Sequence, residues 1–225
     1  MLFRSCDGAV KRPERVQSLG EEIANSVTHG VAALAFAATI PFLVMAALPG
    51  GVLSVVGSTV FGVSLVLLYS SSTIYHSLAR NRAKRVFRVL DHSAIFVLIA
   101  GTYTPFTLGV LRGAWGWMLF GVVWALAAAG IALTASLGIR FPKASMAVYL
   151  GMGWLIIVAA KPLMAHVPPA GLTWLAAGGL CYTGGAAFYG WRRPRYQHTI
   201  WHFFVLAGSV CHWVAVAGYA TPRPA

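Results

Sequence analysis

The sequence predicts an all-α membrane protein, built as a bundle of seven transmembrane helices with a cytoplasmic N-terminus and a C-terminus on the outside. Three observations support this prediction. The composition is very apolar, seven apolar runs are long enough to cross a bilayer, and the basic residues are concentrated in alternate connecting segments.

The composition is that of a membrane protein. Of the 225 residues, 58% are hydrophobic and 10% are charged, whereas a soluble domain carries about 25% charged residues. The net charge of +12 does not indicate a nucleic-acid-binding protein, because the basic residues form short clusters between apolar runs rather than a patch interleaved with aromatic side chains. The three cysteines fit no disulfide or zinc framework.

A hydrocarbon core about 30 Å thick requires roughly 20 predominantly apolar residues in each helix. Seven such runs lie at approximately 23–47, 53–77, 91–111, 115–137, 145–164, 171–190 and 198–218. They define a transmembrane domain over residues 23–218, between a short basic cytoplasmic segment (1–22) and a short outer tail (219–225). The N-terminal segment lacks the apolar stretch of a cleavable signal peptide, so we expect the first helix to direct membrane insertion.

The basic residues orient the bundle by the positive-inside rule. With a cytoplasmic N-terminus, the outer segments hold Arg112, Lys161 and Arg223, and the inner segments hold the other 14 of the 17 basic residues. The inner residues are Arg4, Lys11, Arg12, Arg15, Arg80, Arg82, Lys84, Arg85, Arg88, Arg140, Lys143, Arg192, Arg193 and Arg195. This asymmetry predicts that the N-terminus is inside.

The polar residues within the apolar runs fall at one depth. Such residues are costly in a spanning helix and usually face the interior of the bundle. Four predicted helices carry them near their cytoplasmic ends. They are Glu22, Asn25 and His29 in the first helix, Ser72 and His76 in the second, Asp91 and His92 in the third, and His198 and His202 in the seventh. The sequence therefore predicts a polar site at the cytoplasmic end of the bundle.

The last of these groups has the spacing of a metal-binding pair. His198 and His202 are separated by one helical turn and therefore share a face. Imidazole suits zinc, and a third histidine would leave the fourth position for water or substrate, as in catalytic zinc sites. Spacing alone leaves three alternatives for that third ligand, which are His29, His76 and His92.

Two other side chains at the same depth are candidates for catalysis. Asp91 could orient a water molecule or take its proton, and Ser72 could hydrogen-bond the same water or polarise a substrate oxygen. His212 lies about 21 Å from His198 along the helix. We therefore expect His212 to be a hydrogen-bonded interior residue outside the site.

Three motifs resemble those of a known family. The first is ExxNxxxH, formed by Glu22, Asn25 and His29. The second is SxxxH followed by an aspartate, formed by Ser72, His76 and Asp91. The third is HxxxH, formed by His198 and His202. Together with the segment AGTYTPF at 100–106, they resemble the bacterial hemolysin III branch of the progestin and adipoQ receptor family, from about residue 19 to the end of the chain.

The resemblance implies a seven-helix protein of the bacterial inner membrane that binds zinc through His76, His198 and His202. It implies that Asp91 contacts a water ligand of the ion and that Ser72 lies nearby. The family is similar to the alkaline ceramidases, which implies hydrolysis of a lipid amide or ester. Membrane lipids are then the expected partners, with no nucleic acid.

Several interpretations stay open at this stage. The leading hypothesis is a zinc-dependent membrane hydrolase with its site at the cytoplasmic end. One alternative is a receptor or regulatory membrane protein with structural zinc, and another is a cytolytic protein of the hemolysin type. Glu22, Asn25 and His29 form either a structural seam that holds the first helix or a part of the catalytic site.

Overall fold

A computed structural model describes residues 17–139, 141–190 and 194–222, and the regular secondary structure of these residues is helical throughout. The α-helices are, in chain order, α1 (Leu19–Ala47), α2 (Val52–Ser77), α3 (Arg82–Leu108), α4 (Ala114–Leu137), α5 (Pro142–Trp154), α6 (Ala160–His166), α7 (Pro169–Gly190) and α8 (Gln197–Tyr219). Short 3₁₀ turns follow α1 at Leu48–Gly50 and join α5 to α6 at Leu155–Ala159. Some of the basic residues whose side of the membrane was predicted lie outside the described residues. They are Arg4, Lys11, Arg12, Arg15, Arg140, Arg192, Arg193 and Arg223.

Each of the seven predicted apolar runs is helical, and the fifth consists of α5, the 3₁₀ turn and α6. Within the described ranges, six segments are long and apolar enough to cross a membrane. They are Leu19–Gly50, α2, α3, α4, Pro142–His166 and α8. α7 is a helix as predicted, and its crossing of the membrane stays a prediction. Large apolar side chains such as Leu34, Phe42, Leu133 and Leu180 are exposed on the outside of the bundle.

α1 begins four residues earlier than the first predicted run, because a capping box precedes the apolar residues. The Ser18 hydroxyl accepts from the Glu21 N–H at 3.3 Å, and the Glu21 carboxylate accepts from the Ser18 N–H at 2.9 Å. Each contact satisfies a backbone donor that the helix leaves free at its first turn. As a consequence, Glu22 belongs to the first turn of α1.

α3 also begins earlier than predicted, at Arg82 rather than at residue 91. Its N-cap is Asn81, whose side chain accepts from the Lys84 N–H at 2.9 Å. Asp91, at the start of the predicted run, therefore lies buried well inside α3. The hydropathy pattern missed this start because Arg and Lys form helices well without being apolar.

The fifth segment changes from α-helix to 3₁₀ turn where a tyrosine reaches across from α3. The Tyr103 hydroxyl lies 2.8 Å from the Met152 carbonyl oxygen and 2.9 Å from that of Gly153, and it accepts from the Ile156 N–H at 2.8 Å. Backbone groups released by a break in a spanning helix need such partners, because lipid offers none. Tyr103 therefore stabilises the break.

The helices pack against their neighbours in sequence, and α8 closes the bundle against α1. The most extensive contacts join α1 to α2, α2 to α3, α3 to α4 and α7 to α8, followed by α1 to α8. Phe61, Leu65 and Tyr69 of α2 are fully buried in the main core. Because α1 packs against both α2 and α8, the start of α1, the end of α2 and the start of α8 meet at one end of the bundle.

Gly57 of α2 is in close contact with the backbone of α3. A Cβ at this position would lie 2.8 Å from Pro105 Cα and 3.1 Å from the Thr104 carbonyl oxygen. We expect Gly57→Ala to force α2 and α3 apart and to lower the free energy of unfolding by about 1–3 kcal/mol. The measurement is the midpoint of thermal unfolding in detergent, which should fall.

The matched control for this change is Gly121→Ala in α4. Apart from the neighbouring backbone of α4 itself, no atom of the described residues lies within 4 Å of a Cβ at position 121. Alanine also favours the helix over glycine, so this variant should unfold at the wild-type temperature or above it. Equal losses of stability in the two variants would contradict the close contact at Gly57.

Candidate metal centre

Three histidines from two helices meet at the end of the bundle where α1 begins. His198 and His202 lie in the first turns of α8, and His76 lies in the last turn of α2. One nitrogen from each ring lies within 4.8 Å of the other two. The ring centroids are 5.0 Å apart for His76 and His198, 5.2 Å for His76 and His202, and 4.6 Å for His198 and His202. These three imidazoles, called the histidine cluster below, could hold a metal ion.

Two nitrogens of the histidine cluster are buried without a hydrogen-bond partner among the described residues, which are His76 Nε2 and His202 Nδ1. A buried polar atom left unsatisfied costs about 1–3 kcal/mol, so native proteins rarely retain one without a reason. Neutral imidazole nitrogens are common zinc ligands. The residues present therefore fit a metal ion, which would satisfy both atoms.

Asp91 and Ser72 lie beside the histidine cluster. Both side chains are buried, and both line the same cavity as His198 and His202. The Ser72 side chain interacts with the Asp91 carboxyl group, and His92 Nδ1 lies 3.8 Å from Asp91 Oδ2. The structure thus brings together the carboxyl group and the hydroxyl group that the sequence proposed for catalysis, and their roles stay predictions.

His29 and His92, the other two alternatives for the third ligand, have different surroundings. The His92 ring directs Nδ1 to the Arg88 carbonyl oxygen of its own helix, at 2.9 Å. The His29 ring is stacked on His202, with centroids 3.5 Å apart and an angle of 12° between the planes. Of the three alternatives, His76 is the one that joins His198 and His202 in the histidine cluster.

The predicted seam on α1 consists of three side chains with separate partners. Asn25 is fully buried, donates to Gln17 Oε1 at 2.8 Å, and accepts from the Thr199 hydroxyl at 2.6 Å. His29 contacts α8 through its stacking on His202 and α2 through the Tyr69 ring, whose centroid is 4.7 Å away. Asn25 and His29 therefore join α1 to its neighbours, and the role of the seam stays a prediction.

Glu22, the third residue of the seam, directly contacts the histidine cluster. Its Oε2 lies 2.7 Å from His76 Nδ1, and its Oε1 lies 2.8 Å from Lys84 Nζ. In the sequence, Lys84 is one of a group of basic residues at a predicted cytoplasmic end, and this contact is not predictable from it. Nothing in the spacing distinguishes Lys84 from the basic residues around it.

The histidine cluster opens into a long apolar cavity of about 320 Å³. Asp91, His198 and His202 line one end of the cavity, and Leu163 and Leu172 line the other. His212 also lines it, and ten residues of helix separate His212 from His202, which is about 15 Å. The cavity therefore runs along α8 from the polar end of the bundle into its apolar interior.

His212 and Ser209 continue the polar stripe of α8 away from the histidine cluster. His212 Nε2 lies 3.3 Å from the Leu175 carbonyl oxygen, which confirms the prediction of a hydrogen-bonded interior histidine. Ser209 is contacted by two tyrosine hydroxyls, with Tyr69 donating at 2.9 Å and the Tyr182 hydroxyl at 2.8 Å. These contacts join α2, α7 and α8 in the middle of the bundle.

The comparison with known protein families supports the resemblance found in the sequence. Residues 17–213 match the family described as Haemolysin-III related. The chain belongs to the haemolysin III family. The match includes every residue of the histidine cluster, together with Glu22, Ser72 and Asp91.

Two bacterial members of the haemolysin III family are similar over almost their whole length. The chain is 46% identical to Hemolysin-3 of Bacillus cereus over 213 residues, which is 94% of this chain and 97% of that protein. It is 45% identical to the Hemolysin-3 homolog of Bacillus subtilis (strain 168) over 208 residues, which is 92% of this chain and 98% of that protein. A more distant relative is the human monocyte to macrophage differentiation factor, 26% identical over 175 residues, or 73% of this chain and 71% of that protein.

Proposed function

We propose that this haemolysin III family protein is a zinc-dependent hydrolase of a lipid amide or ester in the bacterial inner membrane. The observation that carries the proposal is the position of the histidine cluster, which opens into a long apolar cavity beside Asp91 and Ser72. A buried metal-binding group, a carboxyl group and an apolar cavity are the parts that hydrolysis of a lipid requires.

The residues of the site have separate roles in this mechanism. His76, His198 and His202 would hold zinc, which supplies Lewis-acid polarisation of the carbonyl group when bound. The Asp91 carboxylate accepts a proton from the attacking water as its oxygen bonds to the carbonyl carbon. Asp91 then returns the proton to the leaving amine or alcohol as the C–N or C–O bond breaks. Ser72 orients the Asp91 carboxyl group.

The cavity favours a substrate with one long apolar chain. Its volume of about 320 Å³ is near the lower end of the range for ligand pockets, which is about 300–1,000 Å³. Because it is long and apolar, it fits an acyl chain that extends into the bundle. The carbonyl group of the lipid would then lie at the polar end, beside the histidine cluster.

Hydrolysis is tested by incubating the purified protein with an extract of bacterial membrane lipids and measuring the fatty acid released. The wild-type protein loaded with zinc should release fatty acid, and the His202→Ala variant should release only the background amount. Equal release by the two proteins would contradict the proposal.

We also infer that the histidine cluster lies at the cytoplasmic end of the bundle, with the N-terminus inside. The inference is supported by the exposed basic residues Arg80, Arg82 and Arg85 between α2 and the start of α3, at the same end as His76. Such residues meet the anionic headgroups of the inner leaflet favourably.

The orientation is tested by labelling intact cells with a thiol reagent that does not cross membranes. Each new cysteine is introduced into a variant that lacks the native cysteines. Ala170→Cys, in the first turn of α7, should react in intact cells. Ala79→Cys, between α2 and α3, should react only after the cells are lysed. The reverse pattern would overturn the orientation.

A lytic activity is a second candidate function, because a relative that is 46% identical is named Hemolysin-3. This candidate predicts that the purified protein, added to liposomes, releases a trapped dye. The hydrolase proposal predicts intact liposomes under the same conditions, so the leakage assay distinguishes the two.

A further inference from the structure

Glu22 lies between the end of α2 and the start of α3, with one carboxylate oxygen directed to each. Oε2 is 2.7 Å from His76 Nδ1, and Oε1 is 2.8 Å from Lys84 Nζ. Lys84 also donates to the Leu78 carbonyl oxygen at 3.0 Å, and its ammonium group lies 5.0 Å from the centre of the Tyr75 ring. The Glu22 and Lys84 side chains are 23% and 13% exposed, so this is a partly buried contact rather than a surface ion pair.

The contact with Glu22 determines which nitrogen of His76 carries the proton. A carboxylate only accepts hydrogen bonds, so Nδ1 of His76 must donate to it. A neutral imidazole carries one ring proton, and its other nitrogen then has a free lone pair. That nitrogen, Nε2, is buried and has no hydrogen-bond partner among the described residues. His76 is thus prepared to bind a metal ion through Nε2.

We propose that Glu22 is a positioning residue of the metal centre and that Lys84 holds the Glu22 carboxylate in place. The proposal rests on the metal site inferred above. Glu22 holds the His76 ring in the orientation and in the tautomer that a metal ion requires. A carboxylate behind a histidine ligand acts in this way in metalloproteins, and its loss typically weakens metal binding about 10- to 100-fold.

The chemistry of a glutamine at position 22 explains why a carboxylate is needed there. The amide has one oxygen and one NH2 group, whereas His76 and Lys84 both offer donors. If the oxygen accepts from Lys84, the NH2 group faces His76 Nδ1 and favours the tautomer with a proton on Nε2. Nε2 then has no free lone pair with which to bind a metal. If the oxygen accepts from His76, the NH2 group faces the Lys84 ammonium group, and two donors meet.

The experiment measures the dissociation constant for zinc of the purified full-length protein in detergent, by competition with a chelator of known affinity. We expect Glu22→Gln to bind zinc about 10- to 100-fold more weakly than the wild-type protein. Lys84→Met should bind zinc more weakly than the wild type but more tightly than Glu22→Gln, because the carboxylate still accepts from His76 but loses the ammonium group that holds it. The double variant, with Glu22→Gln and Lys84→Met together, should bind zinc more tightly than Glu22→Gln alone. The glutamine oxygen is then free to accept from His76.

Glu21→Gln is the matched control. Each Glu21 carboxylate oxygen accepts from one backbone N–H group, that of Ser18 or that of Tyr196. Glu21→Gln therefore also sets an NH2 group against a donor, but against a backbone donor rather than His76 Nδ1, so the variant should lose stability and keep the wild-type zinc affinity. Thermal unfolding of the zinc-free proteins shows whether each variant is folded. A folded Glu22→Gln variant with wild-type zinc affinity would overturn the proposal.

The same measurement separates this proposal from the metal site itself. If His198→Ala binds zinc as the wild type does, the histidine cluster is not the metal site, and the role of Glu22 falls with it. If His198→Ala loses zinc while Glu22→Gln keeps it, the metal site stands and the positioning role is overturned. A double variant that binds no more tightly than Glu22→Gln would overturn the assignment of Lys84.

Discussion

The His198→Ala variant is expected to lose the metal ion that the wild-type protein binds. His76 and His202 would supply two ligands without the third, and a zinc site in a protein normally has at least three protein ligands. Elemental analysis of the purified protein should find zinc near stoichiometric in the wild type and only traces in the variant.

His212→Ala is the control for this loss, since it removes another interior histidine of α8. His212 contacts the Leu175 carbonyl oxygen, away from the histidine cluster, so this variant should retain zinc. A wild-type zinc content in His198→Ala would contradict the assignment of the histidine cluster as the metal site. Loss of zinc in both variants would mean that zinc is lost because α8 is disrupted, and not because a ligand is removed.

The Asp91→Asn variant is expected to keep its zinc and to lose hydrolytic activity. Asparagine has almost the same shape as aspartate, but its amide cannot accept a proton from water and return it to the leaving group. General base catalysis contributes typically about 10²- to 10⁴-fold to the rate. The release of fatty acid at saturating lipid should therefore fall by about that factor.

The control for Asp91→Asn is Ser93→Ala, which changes another buried polar side chain of α3. It should release fatty acid near the wild-type rate. Unchanged turnover by Asp91→Asn would remove Asp91 from the mechanism. Loss of zinc together with loss of turnover would assign Asp91 to metal binding instead of proton transfer.

The helices were predictable because lipid imposes an apolar composition on each spanning segment. The run at 53–77 is α2, Val52–Ser77, and the run at 115–137 is α4, Ala114–Leu137. α3 was predicted less well, because hydropathy marks the apolar part of a helix and not its first hydrogen bond. The basic turns from Arg82 onward are helical without being apolar.

The candidate site was predictable in part. The pairing of His198 with His202 follows from helical geometry alone. The third member did not follow from spacing, which left His29, His76 and His92 open, and the family resemblance favoured His76. In the structure His76 joins the histidine cluster, because the end of α2 meets the start of α8 across α1.

By itself, the sequence determined the apolar helices and the polar residues that four of them carry at one end, including the pair His198 and His202. Both depend on repeats within one segment, and a helix converts such repeats into a surface. The tertiary structure alone decided that Glu22 stands behind His76 and that Lys84 holds Glu22. These contacts join residues 54 and 62 positions apart in the chain. The periodicity of one helix carries no information about its distance from another.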